Sequence, residues 1–178
     1  MAHKSIFAPI LQIMDEINSF MMSMNPEKAK IYYSSDTTCQ NEADKDMLAL
    51  LALKIGTPIM LLRNIDHSTG LCNGTRLVKV FIPRIMLTPS DHRIPFRFQK
   101  RQFSIMVSYA MLINKSQGQS LSNVGLVLKK PVFIHGQLYV VVSRVTHRRR
   151  LKVLICHDNH QKKKTDNMVY KEVFQNVD

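Results

Sequence analysis

Two short apolar runs, Val124 to Leu128 and Leu151 to Cys156, flank Leu138 to Val145, which reads as part of a helix beginning near Phe133. Strand, helix and strand in that order predict parallel α/β units, because parallel strands need a crossover and a helix is the usual one. The chain opens in the same way. Lys4 to Ala8 reads as a strand stopped by Pro9, and Ile10, Ile13, Met14, Ile17, Phe20, Met21 and Met24 then recur at i, i+3, i+4 spacing. That spacing makes one apolar helix face. Pro9 suits the first turn, where a missing N–H costs nothing, and Asn25-Pro26 ends the helix. With 45% hydrophobic residues among 178, the chain has enough apolar surface for a core.

The middle of the chain has a different texture. Ser34 to Asp46 is polar and acid-rich and predicts a surface loop. Ile59-Met60-Leu61-Leu62 predicts a buried strand, Asp66 to Gly74 has the residues of a turn, and Thr75 to Met86 returns to β-type residues. Together they predict a hairpin or part of a small barrel. Pro83, Pro89 and Pro95 exclude long helices there. Further on, Phe103 to Ala110 reads as a strand or the lead-in to a helix. Met168 to Phe174 predicts a short closing helix, and Gln161-Lys162-Lys163-Lys164 a solvated loop.

Several classes drop out on composition. No apolar run approaches the ~18–20 residues of a membrane span. The first residues lack a secretory pattern. Three cysteines, Cys39, Cys72 and Cys156, argue against a disulfide framework and for a reducing compartment. The net charge of +12 is uneven: residues 1–90 carry +1 and residues 91–178 carry +11. Such a concentrated positive field favours a polyanionic partner, although a basic surface that only aids solubility fits as well.

Two segments could carry chemistry. Asn114-Lys115-Ser116-Gln117-Gly118-Gln119-Ser120 joins a cation, hydroxyls and amides to a glycine whose backbone N–H could face an anion. It lacks the G-x-x-x-x-G-K-[ST] of a phosphate-binding loop, and no glycine of the chain supplies one. In His135-Gly136-Gln137-Leu138-Tyr139-Val140-Val141-Val142-Ser143-Arg144, residues Gln137, Val141 and Arg144 share a helical face. An arginine there could meet phosphate with its planar fork. It could equally end a core helix, where a cation suits the dipole. Met14-Asp15-Glu16 sits in a helical period and reads as a solvated face. The seven histidines show no zinc spacing with the cysteines. Arg148-Arg149-Arg150 could touch a phosphate backbone or be an ordinary exposed turn.

As an ordered pair, Ile113 to Leu121 and His135 to Val145 resemble motifs V and VI of superfamily-one DNA helicases. The match is to the petite-integration-frequency (Pif) family and its transposon-encoded (Helitron) relatives. Gly56-Thr57-Pro58-Ile59-Met60-Leu61-Leu62-Arg63-Asn64-Ile65-Asp66, Gly70-Leu71-Cys72-Asn73-Gly74-Thr75-Arg76 and Ile6-Phe7-Ala8-Pro9 with Asp15-Glu16-Ile17-Asn18 also match. The resemblance implies an α/β fold, a parallel-sheet RecA-like second helicase domain with a small β-barrel insertion. It places the first part of that domain at 1–54, the insertion at 55–105 and the second part at 106–178. It implies Arg144 as the catalytic arginine at the γ-phosphate of ATP. Gly118, Gln119, Gln137 and Tyr139 would lie at the nucleotide, and Asn114, Lys115, Ser116 and Gln117 on single-stranded DNA. ATP with Mg²⁺, five-prime to three-prime unwinding and a nuclear location follow from the resemblance alone.

The departures have consequences. The family's ATP-holding loop and magnesium carboxylate belong to a first RecA-like domain that these residues do not include, so negligible hydrolysis is expected of the chain by itself. Motif V has Leu112 where the family carries Thr, and Ile10-Leu11 replaces Thr-Asn. The loop after Asp46 and the stretch from Val78 to Phe81 are shorter than the family norm, which points to an incomplete barrel with unpaired strand edges. Two other readings stand beside this one: a non-enzymatic basic module for single-stranded nucleic acid, and a decayed transposon remnant that no longer folds.

Overall fold

The computed structural model describes residues 4–38, 50–77, 80–87, 98–116, 121–156, 164–170 and 172, and these fall into two compact units. The first unit comprises Met1–Ser23 and Ser108–Asp178, the second Met24–Val107. In chain order the elements are β1 (Lys4–Ala8), α1 (Leu11–Met24), β2 (Lys30–Tyr33), β3 (Ser35–Thr38), β4 (Leu50–Leu53), β5 (Ile59–Leu61) and β6 (Arg76–Leu77). There follow β7 (Ile85–Leu87), β8 (Phe98–Gln102), β9 (Ile105–Val107), β10 (Ala110–Leu112), β11 (Asn123–Leu128), α2 (Gln137–Val142) and β12 (Leu151–Ile155).

The first unit is built on a parallel sheet in the order β10-β1-β11-β12. Phe7 lies beside Met111 on one flank and Leu126 on the other, and Leu126 lies beside Val153. Side chains in register on parallel strands share a face. Phe7, Met111 and Leu126 therefore join Ile113, Leu121, Val124, Leu128, Val132 and Val141 in one buried cluster, against which Leu138, Val140, Val145 and Leu151 pack. β1 ends at Ala8 because Pro9 has no N–H to extend the ladder.

The helix faces are where the sequence pattern is corrected. α1 buries Ile13, Met14 and Asn18, while Phe20, placed on the apolar face by periodicity, is 61% exposed, and Met24 is exposed too. The reason is polar. The Asn18 amide accepts from the Ala110 N–H (2.8 Å) and donates to the Ala110 carbonyl (3.1 Å), pairing both backbone groups of an edge-strand residue. α2 starts at Gln137 rather than near Phe133, because Gly136 holds φ at 73°, the left-handed region that a helix cannot pass through. Phe103 to Ala110 is split between β9 and β10. The closing helix expected from Met168 is absent over Met168–Tyr170, which is irregular; most of its remainder lies outside the described residues.

The second unit is antiparallel. Its strands pair as β2-β4, as β3-β8-β7 and as β6-β5-β9. These are three separate ladders among the described residues rather than one continuous barrel ladder. β2 pairs with β4 and β3 with β8, which gathers these strands in the unit Met24–Val107. The expected loop from Ser34 is a strand over Ser35–Thr38, and the rest of it to Asp46 lies outside the described residues. Thr75 to Met86 is not one strand: β6 spans two residues and Val80 to Arg84 is irregular. Among the described residues the buried apolar side chains here are Met60, Leu61 and Ile105. Phe103 meets Tyr32 edge-on, with ring centres 5.4 Å apart, and carries the Arg84 guanidinium over its face at 5.3 Å. In the turn after β5, the Asp66 carboxylate accepts from the Ser68 N–H and hydroxyl and the Thr69 hydroxyl, which lowers its pKa.

Candidate nucleotide and nucleic-acid site

Motif V begins where β10 ends. Ile113–Ser116 forms a 3-10 turn anchored by the fully buried Ile113, and this leaves Asn114 and Lys115 exposed. Gln117, Gly118 and Gln119 lie outside the described residues.

Motif VI follows β11. Gln137, the first residue of α2, is buried. Its Nε2 donates to the Pro9 carbonyl (3.5 Å), and its Oε1 accepts from the Phe133 N–H (3.4 Å). The amide thus ties the start of the helix to the end of β1. Tyr139 points outward at 74% exposure, and Val141 is fully buried. Arg144, just past the helix, is half-buried. Its Nε donates to the Val140 carbonyl (3.2 Å) and its Nη2 to the Ser143 hydroxyl (3.1 Å). The guanidinium therefore neutralises the carboxyl end of α2, as a cation there should. Its other three N–H donors have no partner among the described residues.

The two motifs meet. α2 packs against the Ile113–Ser116 turn, and the Leu121 N–H donates to the Arg144 carbonyl (3.3 Å). Two contacts gave no signal in the sequence. The Tyr170 ring stacks on His135 at 5.3 Å, and its N–H donates to His135 Nδ1 (3.0 Å), so a segment from near the carboxyl end rests on the loop that starts α2. Glu16 of α1 pairs with Lys129 at the end of β11, and this hydrogen bond and charge hold the Glu16 carboxyl below its usual range.

The site does not fit magnesium. Among the described residues no three His, Cys, Asp or Glu side chains gather to hold a metal, and no Asp or Glu occurs between His92 and His157. Nor is any helix among them long and apolar enough to cross a membrane.

The parallel sheet with motifs V and VI brought together defines the class, a RecA-like α/β domain of the helicase type. The family description "DNA helicase Pif1, 2B domain" matches residues 48–81, within the second unit. The human ATP-dependent DNA helicase PIF1 is 32% identical over 152 residues, covering 75% of this chain and 22% of the relative. A crystal structure of Pif1 helicase from Candida albicans superposes with a TM-score of 0.66 at 25% identity, covering 86% of this chain and 45% of that one. A Bacteroides Pif1 helicase in complex with ADP-AlF3 and ssDNA gives 0.62 at 16% identity, covering 96% and 43%. The chain is related to the Pif1 DNA helicases and corresponds to their carboxyl-terminal part. It spans about a fifth of the length of the curated relatives it matches.

Proposed function

We propose that the chain is the second-domain portion of an ATP-dependent DNA helicase that unwinds in the five-prime to three-prime direction. In this reading Arg144 is offered to a nucleotide that another RecA-like domain holds. The supporting observation is the junction of the two motifs: the hydrogen bond from Leu121 to Arg144 and the packing of α2 on the motif V turn. A shift at the DNA-facing turn would thereby reach the arginine. Asn114, Lys115, Ser116 and Gln117 would follow single-stranded DNA, and Gly118 and Gln119 would approach the nucleotide. Gln137 would fix the start of α2 and Tyr139 would support the nucleotide side. Arg144 would swing from the Val140 carbonyl to place its fork on the γ-phosphate as charge builds there.

The proposed layout keeps an inserted module near residues 55–105 between parts at 1–54 and 106–178. Mg²⁺ would be held by the other domain. Nuclear location and work in repair, recombination and telomere maintenance belong to the same reading. Phosphate release measured with ATP and single-stranded DNA should stay at background for this chain alone; robust turnover would overturn the division of labour. The non-enzymatic reading, a basic single-stranded nucleic-acid module, draws on the lack of any carboxylate from His92 to His157. It predicts the same background rate with or without a first RecA-like domain.

A further inference from the structure

Neither motif accounts for Arg148-Arg149-Arg150. These residues form a 3-10 turn leading into β12, closed by hydrogen bonds from the Arg150 N–H to the His147 carbonyl and from the Leu151 N–H to the Arg148 carbonyl. All three side chains are exposed, as are His147 and Lys152. No ion pair or hydrogen bond to the three guanidinium groups occurs among the described residues. A surface that only needs solubility mixes both signs of charge. Here residues 92–157 hold twelve Lys and Arg and no Asp or Glu, so no neighbour in sequence relieves the repulsion of three adjacent cations.

The turn's geometry selects the partner. With three residues per turn, successive side chains leave a 3-10 helix roughly 120° apart, so the guanidiniums diverge and do not converge on one small anion. Divergent forks suit an extended row of phosphates. The turn's place separates it from motif V. Leu151 is in register with Val124 at the start of β11, whereas the motif V turn leaves the far end of β10, beside Ala8. From Leu151 to Leu112, the strand residues that adjoin the two turns, the offset is three strands across, ~14 Å, and three residues along, ~10 Å, so the turns lie at least roughly 17 Å apart. At ~3.4 Å per phosphate along one strand of a duplex, that is about five nucleotides or more.

We propose that Arg148–Arg150 is a second, sequence-independent contact to a nucleic-acid backbone, separate from the motif V contact by about five nucleotides or more. This goes beyond the helicase reading and does not require ATP. The test is fluorescence anisotropy with a labelled 20-mer of oligothymidine and with a 20-base-pair duplex, titrated between 50 and 200 mM salt. The proteins compared are the wild type, R148Q/R149Q/R150Q, R148K/R149K/R150K and K115Q. On the nucleic acid that binds, the triple Gln variant should lower the slope of log affinity against log salt by about two on a single strand (~0.7 per phosphate) and by nearly three, ~2.7, on a duplex (~0.9 per phosphate). Affinity at the lowest salt should fall at least tenfold, and the triple Lys variant should restore most of the slope. K115Q should lower the slope by less than one. An unchanged slope in a triple Gln variant with wild-type thermal unfolding overturns this proposal and leaves the motif V reading standing. Loss with the triple variant but not with K115Q supports the arginine turn and counts against motif V as a DNA track. A larger loss on the duplex than on the single strand assigns the turn to duplex, and the reverse to single strand.

Discussion

The two units solve the burial problem differently. The first gathers residues distant in sequence, Phe7, Met111, Leu126 and Val141, into one cluster beneath a helix. The second spreads three small antiparallel ladders over Met24–Val107, buries Met60, Leu61 and Ile105, and leaves Phe81 at 99% exposure and Ile55 at 80%. The parallel sheet buries its inner strands β1 and β11 and leaves Val153 and Leu154 of the edge strand β12 exposed, whereas short antiparallel ladders can face water on one side. The first unit can therefore hold an arginine in a fixed place, and its stability should be far more sensitive to truncation.

The largest expected effect tests that contrast directly. Phe7→Ala empties the centre of the first core and should cost about 3–5 kcal/mol, whereas Phe81→Ala in the second unit should stay within about 0.5 kcal/mol. Urea unfolding followed by circular dichroism measures both, and comparable losses would break the contrast. Next comes Asn18→Ala, which leaves both backbone groups of Ala110 without their amide partner. The expected cost is about 1–3 kcal/mol by the same measurement. A neutral result would mean that water replaces the amide and that α1 is not pinned to β10.

The smallest effect is electrostatic. The Lys129 ammonium lowers the Glu16 carboxyl from its ordinary 4.5. Stability from that pair is present above this value and fades as the pH falls through the lowered one. Glu16→Gln should lower Tm slightly at neutral pH and leave it unchanged at low pH, so that the acid side of a plot of Tm against pH becomes flatter. Both groups are about half-exposed, so added salt should shrink the difference.

How much of this was legible beforehand follows from the range of the interactions. Lys4–Ala8, Ile59–Leu61 and the strands around Leu126 and Val153 carry their apolar pattern locally, and the parallel arrangement followed from their order. The direction of α1 did not, because Asn18 is buried by a bond to Ala110, 92 residues away. Nor did the ladder of β3 with β8, whose partners lie about sixty residues apart and in which Ser35 to Thr38 is polar. For the site, the residue types and order of motifs V and VI pointed to phosphate chemistry. Of the contacts that give Arg144 its place, Val140 on its guanidinium lies at the helical i−4 spacing, whereas Leu121 on its carbonyl follows no sequence period. Tyr170 on His135 left no trace in the pattern either.

The most direct measurement is ATP turnover with single-stranded DNA by a fusion that places the first half of the Candida albicans relative ahead of this chain, with Arg144 intact or changed to Ala. If Arg144 serves the nucleotide, the intact fusion hydrolyses ATP and Arg144→Ala lowers kcat by about 10³-fold or more with unchanged DNA binding. Equal turnover by both fusions would contradict it.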